Sequence, residues 1–154
     1  MEPTPRRAAR LLVIDPHSDA VLLFKYEDGG RSWWATPGGA VDGDETFEEA
    51  AIREAAEELA IAPRRFLPLW QTTVEFSFRG MPVRQEEQFF LLRIRQGDVA
   101  LGHEVREAHR HEGIIATRWW SLKDIETTSE QVFPEDLPHR LRELRSAGTP
   151  TLGL

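Results

Sequence analysis

The stretch from Thr46 to Ala60, "TFEEAAIREAAEELA", reads as an α-helix, and it stands among short apolar runs that read as strands. Thr46 followed three residues later by Glu49 forms a capping box, and acids in the first turn suit the positive end of the helix dipole. Pro63 bars continuation at the other end. Ile52, Ala55, Ala56 and Leu59 fall on one side and supply a face for packing on a sheet. One helix set among strands commits the chain to a mixed architecture.

The strands follow from punctuation. "ARLLVID" and "AVLLFKY" flank the turn residues "PHSD" and read as a hairpin. "DGGRSW" reads as a loop, and "WWATPGGAV" as a short strand running into a Pro-Gly-Gly turn. "WQTTVEFSF" and "VRQEEQFFLLRIR", joined by "RGMP", make a longer hairpin. "IIATRWWSL" is a further strand, and "EDLPHRLRELRSAG" a closing helix stopped by Gly148. The expectation is an α/β fold with a mixed sheet and helices on its faces. At 154 residues and 40% apolar content, the chain suits one domain over 1–154, with tails at about 1–5 and 148–154.

The charge is concentrated. Asp42 to Glu58 carry eight acids against the single base Arg53, while 18 acids and 18 bases balance elsewhere, so the whole formal charge of -7 sits in one short segment. Such a segment asks for a local cation. No Lys/Arg stripe suggests duplex nucleic acid as a partner. Without cysteine there are no disulfides, thiolate metal sites or cysteine nucleophile, which fits a cytoplasmic, reducing compartment. The apolar run Leu11 to Ile14 is far too short for a membrane span.

Glu54, Glu57 and Glu58 project from one face of the helix and repel one another, at a few tenths of a kcal/mol per pair. The last two also sit in the final turn, where the dipole favours cations. A divalent ion would reverse that sign, since Mg²⁺ takes a few carboxylate oxygens and fills its other positions with water and phosphate; an ordinary solvated acidic face is the alternative. An EF-hand starting at Asp42 fails, with Arg53 at its twelfth position and Phe47 at its sixth. His103, His109 and His111 lack a standard zinc spacing and read as polar loop residues.

Extended back to the glycine turn, the segment "GGAVDGDETFEEAAIREAAEELAI" resembles the signature of the Nudix (MutT-like) hydrolases. Gly39, Glu45, Arg53, Glu54, Glu57, Glu58 and Ile61 occupy motif places. Ala55 stands where a larger aliphatic is usual, and Ala60 where the pattern has glycine. The resemblance implies an α/β/α sandwich around a mixed sheet, Mg²⁺ or Mn²⁺ as cofactor, and hydrolysis of a nucleoside diphosphate linked to another group. It implies Glu54, Glu57 and Glu58 as metal ligands, with one of them or a loop acid as general base. Arg53 is expected to orient a carboxylate by a bidentate pair, Glu45 to brace the loop, and Gly38 and Gly39 to let backbone approach closely.

Relatives add an acid from outside the motif, and Glu112 is the expected one here, with Glu104 and Glu107 as alternatives. Trp33 and Trp34 alternate along a strand, so one faces the core and the other is free to stack on a base; Trp34 is taken as the stacking residue. Arg31, Arg79 and Arg84 are candidates for phosphate or ribose. Ser77 and Phe78 stand where markers of ADP-ribose and dinucleoside polyphosphate relatives would have proline and tyrosine. Nucleoside triphosphates, nucleotide sugars and capped RNA ends stay open as substrates, and relatives suggest a homodimer. The competing expectation is a Nudix-like module that binds a nucleotide without hydrolysing it.

Overall fold

The computed structural model describes residues 2–147, apart from the side chains of His103 and Glu104. Strand β1 (Thr4–Ile14) lies at its centre, parallel to β6 (Met81–Arg93) along its whole length, from Thr4↔Val83 to Ile14↔Arg93. β5 (Leu67–Phe78) flanks β6 antiparallel. Against the other edge of β1 lies the three-residue β4 (Gly38–Ala40), antiparallel with Ala9↔Gly39. β2 (Val21–Asp28) pairs with β1 only at Ile14↔Val21, so the expected hairpin exists only at its root. From Phe24 onward β3 (Arg31–Ala35) runs along β2, β7 (Ile114–Trp120) pairs with β2 as well, and β8 (Val132–Phe133) closes on β3 in parallel.

Two tight turns shape the hairpins. Gly29 and Gly30, at φ 57° and 80°, close β2 on β3, so the segment read as a loop is a two-residue hairpin turn. Arg79 and Gly80 turn β5 into β6 in the same left-handed geometry, at φ 50° and 77°.

Helix α1 (Phe47–Leu59) carries the capping box expected of it: the Glu49 N–H donates to the Thr46 hydroxyl at 3.0 Å and the Thr46 N–H to the Glu49 carboxylate at 3.0 Å. It buries Ala51, Ala55 and Leu59 against Leu11, Val13 and Phe24. Ala56, expected on that face, is exposed. The helix ends on Ala60 in left-handed conformation, φ 56°, before Pro63 is reached.

The opposite face of the sheet buries Leu12, Leu23, Trp34 and Trp120 under α3 (Leu122–Thr127) and α4 (Leu137–Ser146). Two apolar layers around one curled mixed sheet make the α/β/α sandwich. Truncating Phe24 or Trp120, each fully buried, would cost about 3–5 kcal/mol.

Several expectations change. Thr4 and Pro5, read as tail, are paired strand, while Gly148 and the tail beyond it lie outside the described residues. The segment 103–111, read as loop, is helix α2 (His103–His111), packed against α1 and β7. Among the described residues no helix is long and apolar enough to cross a membrane.

Candidate active site

The two glycines before α1 set the site. Gly38 has φ 140°, and a Cβ there would run into the Ala9 carbonyl, so β4 closes on β1 only because this residue has no side chain. Its N–H donates to Glu58 Oε2 at 3.2 Å. A Cβ on Gly39 would stand 2.5 Å from Glu54 Oε1. The close approach expected of this pair is therefore made by strand β1 and by the helix's own carboxylates.

Glu54 and Glu58, one turn apart, are 8% and 6% exposed. Burial first, and then for Glu58 the charge of Glu54, pushes its carboxyl well above the usual range; burial also raises Glu54, against the pull of its hydrogen-bonding neighbours. Glu57 projects outward from the same helix.

Arg53 ties the motif together. Its Nε and Nη2 donate to the two oxygens of Glu45 at 2.9 and 2.9 Å, a bidentate pair. Nη1 reaches Glu54 Oε1 at 2.9 Å and Glu57 Oε2 at 3.4 Å, and Nη2 also donates to the Ala40 carbonyl at 2.9 Å. The hydrogen bonds to Glu45 raise the pKa of Arg53, and those from Arg53 lower that of Glu45. Glu45 Oε1 accepts the Asp42 N–H at 2.8 Å, which fixes the loop before α1.

A cavity of about 120 Å³ is lined by Glu54, Glu57, Glu58, Ala108, His109 and Glu112. The acid expected from outside the motif thus stands in the same cavity as the three motif carboxylates. The structure explains how it gets there: Glu112 caps the C-terminus of α2, and α2 is pinned to α1 by His109. The carbonyl of Glu58 can only accept, so the imidazole Nε2–H donates to it, at 2.8 Å. Burial holds that imidazole's pKa below its ordinary value, and its ring lies 4.7 Å from that of Phe24. His109 is therefore a buried helical residue and not the polar loop residue expected; the spacing Val105, Ala108, His109, Glu112 is the helical signal for it.

Other expected site residues lie elsewhere. Trp34 is buried on the far side of the sheet, edge-on to Trp120 at 5.1 Å, and does not stack on a base as expected, because strand alternation turns it toward α3 and α4. Trp33 points the other way and stacks on Tyr26 at 6.0 Å. Arg31 opens β3 opposite Asp28, beside the hairpin turn, away from the acid-lined cavity. Arg84 lines a different cavity, and Arg79 stands over the Phe78 ring. Glu107 pairs with Arg110 at 3.2 Å; the Glu104 side chain lies outside the described residues.

Two further residues escaped the sequence. Arg10 donates from Nε to Glu87 Oε2 at 3.0 Å, a pair in which Glu87 is buried and Arg10 half-buried, and which Gln85 also joins. Burial, followed by the charge of Glu58, raises the pKa of the nearby Tyr26 hydroxyl.

Among the described residues no three acids or histidines converge on one point as they stand, and Arg53 holds Glu54 and Glu57. The donor chemistry fits a hard divalent cation. Two carboxylates are buried against each other with their charge incompletely offset, and two more line the same small cavity, which suits Mg²⁺ and Mn²⁺ with their oxygen ligands.

The family model of the NUDIX domain matches residues 4–141. The chain belongs to the Nudix family. Nudix hydrolases act on pyrophosphate bonds and generally use divalent metals. A Mycobacterium tuberculosis protein that carries the name MutT4 is 31% identical over 81 residues, which is 53% of this chain and 33% of that protein, so the chain matches about a third of that relative's length. The MutT protein of Methanosarcina mazei Go1 superposes with a TM-score of 0.65 at 20% identity, over 96% of this chain and 97% of that one. The Ap4A hydrolase of C. elegans superposes at 0.61 with 22% identity, over 94% and 98%. At these identities the two structures establish the Nudix fold.

Proposed function

We propose that this chain is a metal-dependent pyrophosphohydrolase, cleaving the diphosphate link of a nucleoside diphosphate joined to another group, and that residues 1–154 act as one catalytic domain. The observation that carries the reading is the buried Glu54–Glu58 pair, which shares its cavity with Glu57 and Glu112. Like charges buried together are unfavourable unless something of opposite sign is bound there.

Glu54, Glu57 and Glu58 would hold the ion, which when bound neutralises phosphate charge and acidifies the attacking water. The chain's own residues do the rest. Gly38 N–H and the Arg53 guanidinium hold Glu58 and Glu54 in place. Glu57, the exposed member, is free to leave Arg53 and turn toward substrate. Glu112 stands across the cavity from the motif helix and takes the proton from the attacking water at a carboxylate oxygen. His109 fixes the separation of the two helices that carry these acids.

The cavity, at about 120 Å³, admits phosphate and excludes a nucleoside, so base and sugar lie outside it. Nucleoside triphosphates, nucleotide sugars and capped RNA ends all satisfy the reading. A cysteine-free chain suits the cytoplasm, where such nucleotides are found.

The test is phosphate or nucleotide release from a panel of nucleotides with and without Mg²⁺. Glu57→Gln should lower kcat by about 10²–10⁴-fold with an unchanged melting temperature. Equal turnover of variant and wild type would remove the assigned chemistry.

A further inference from the structure

Arg10 lies on β1, outside the motif, and its guanidinium spans two elements. Nε donates to Glu87 Oε2 of β6 at 3.0 Å, and Nη1 to the Thr36 carbonyl at 3.4 Å. Glu87 is buried, and so is Gln85, whose amide nitrogen donates to the same Glu87 oxygen at 2.8 Å. The parallel register sets Ala8 beside Glu87, and strand alternation then puts Arg10 on the face that Glu87 occupies.

Thr36 is itself buried and opens the turn that carries Gly38. Three consecutive residues of β1 hold that turn. The Leu11 N–H donates to the Pro37 carbonyl at 2.8 Å, Arg10 takes the Thr36 carbonyl, and the Ala9 carbonyl lies where a Cβ on Gly38 would stand. The turn presents the Gly38 N–H to Glu58 at 3.2 Å. A line of contacts thus runs from β6 through Arg10 and the turn to one of the two buried carboxylates.

Charge follows the same line. Burial and the charge of Glu54 raise the pKa of Glu58, while the Gly38 N–H and the charge of Arg10 pull it down. Burial works to lower the pKa of Arg10, and Glu87 first, with Glu58 after it, outweighs that, so the guanidinium is held charged. Glu54 has Arg53 as its bonded cation; Arg10 is the further guanidinium whose charge Glu58 feels.

We propose that Arg10 is a positioning residue for the ion site: it clamps the Thr36–Gly38 turn so that the Gly38 N–H stays on Glu58, and Glu87 holds its guanidinium in place. Lysine would keep the charge and lose the fork, since a single ammonium does not reproduce two donors set in one plane. The inference deepens the hydrolytic reading and rests on it for what the clamp does to a bound ion. The clamp itself belongs to the metal-free fold.

Amide hydrogen exchange, followed by NMR on the full chain in EDTA, tests the clamp with no ion present. Arg10→Lys should speed exchange of the Gly38 and Leu11 amides about tenfold, while the amides paired between β1 and β6 stay protected. Glu87→Gln keeps the side-chain volume and should move the same two amides in the same direction, by about threefold. Mn²⁺ titration then reads the consequence. Arg10→Lys should bind Mn²⁺ about tenfold more weakly than wild type, and Arg10→Lys combined with Glu87→Gln no more weakly than Arg10→Lys alone, because Glu87 acts through Arg10. A role in stability alone would lower the melting temperature and leave the Mn²⁺ affinity of the folded protein unchanged. Unchanged exchange at Gly38 in both variants, or Arg10→Lys that binds Mn²⁺ as tightly as wild type, would overturn the proposal. Wild type that takes up no Mn²⁺ would instead remove the ion site, with the exchange rates still deciding the clamp.

Discussion

Glu54 and Glu58 lie side by side one helical turn apart, Glu54 against Gly39 and Glu58 bonded to the Gly38 N–H, and both are buried. In the metal-free protein this pair works against folding. Glu58→Gln keeps the side-chain volume and an oxygen acceptor for Gly38 while removing one charge. Urea unfolding in EDTA should show a higher midpoint for Glu58→Gln than for wild type, with activity lost. A lower midpoint would mean that the pair is structural.

Arg53 is both brace and counter-charge, and lysine cannot replace its fork. Arg53→Lys should reduce kcat by about 10–100-fold, the usual effect of losing a residue that orients ligands, while circular dichroism shows a native spectrum. Glu45→Gln acts through the same bidentate pair, so the double variant should fall well short of the product of the single effects. Independent, multiplying effects would show that the pair does not act as a unit.

Ala60 holds a left-handed backbone, φ 56°, at the end of α1, with its N–H bonded to the Ala55 carbonyl. Glycine adopts that conformation without strain. Ala60→Gly should raise stability by about 1 kcal/mol in chemical denaturation. Destabilisation would mean that the methyl group packs usefully in the wild type.

Asp15 accepts the His17 N–H at 2.8 Å in the turn after β1, and that bond holds its carboxyl below the ordinary range. A folded pKa below the unfolded one means that the ionised carboxylate stabilises the fold. The contribution is full above about pH 4 and disappears as pH falls through the folded value. Asp15→Asn should therefore have a lower melting temperature at neutral pH, with the two curves converging in acid. A constant difference across pH would assign the effect to something other than charge.

The capped helix, the Arg79–Gly80 hairpin and the last long strand were legible because each carries local punctuation. Helix α2 was not: its nine residues begin after Gly102 with no side-chain cap, and they are rich in histidine and charge. Alternation showed that Trp33 and Trp34 face opposite ways, but which way depends on β8 and Trp120, which only the folded sheet brings near. The motif marked Glu54 and Glu58 as ligands, whereas their burial comes from β4 closing on β1 at Gly38 and from α2 covering the last turn. A helix pattern alone would have left both acids on a solvated face. Glu112 was placed from its position before the last strand; the reason it reaches the cavity, the His109 hydrogen bond, is tertiary.

Calorimetric titration of Mn²⁺ into metal-free wild type and Glu58→Gln tests whether the buried carboxylate pair exists to hold a divalent ion. Saturable binding by the wild type is expected, weakened about tenfold or more in the variant. Wild type that takes up no Mn²⁺, with or without nucleotide, or a variant that binds as tightly, would contradict it.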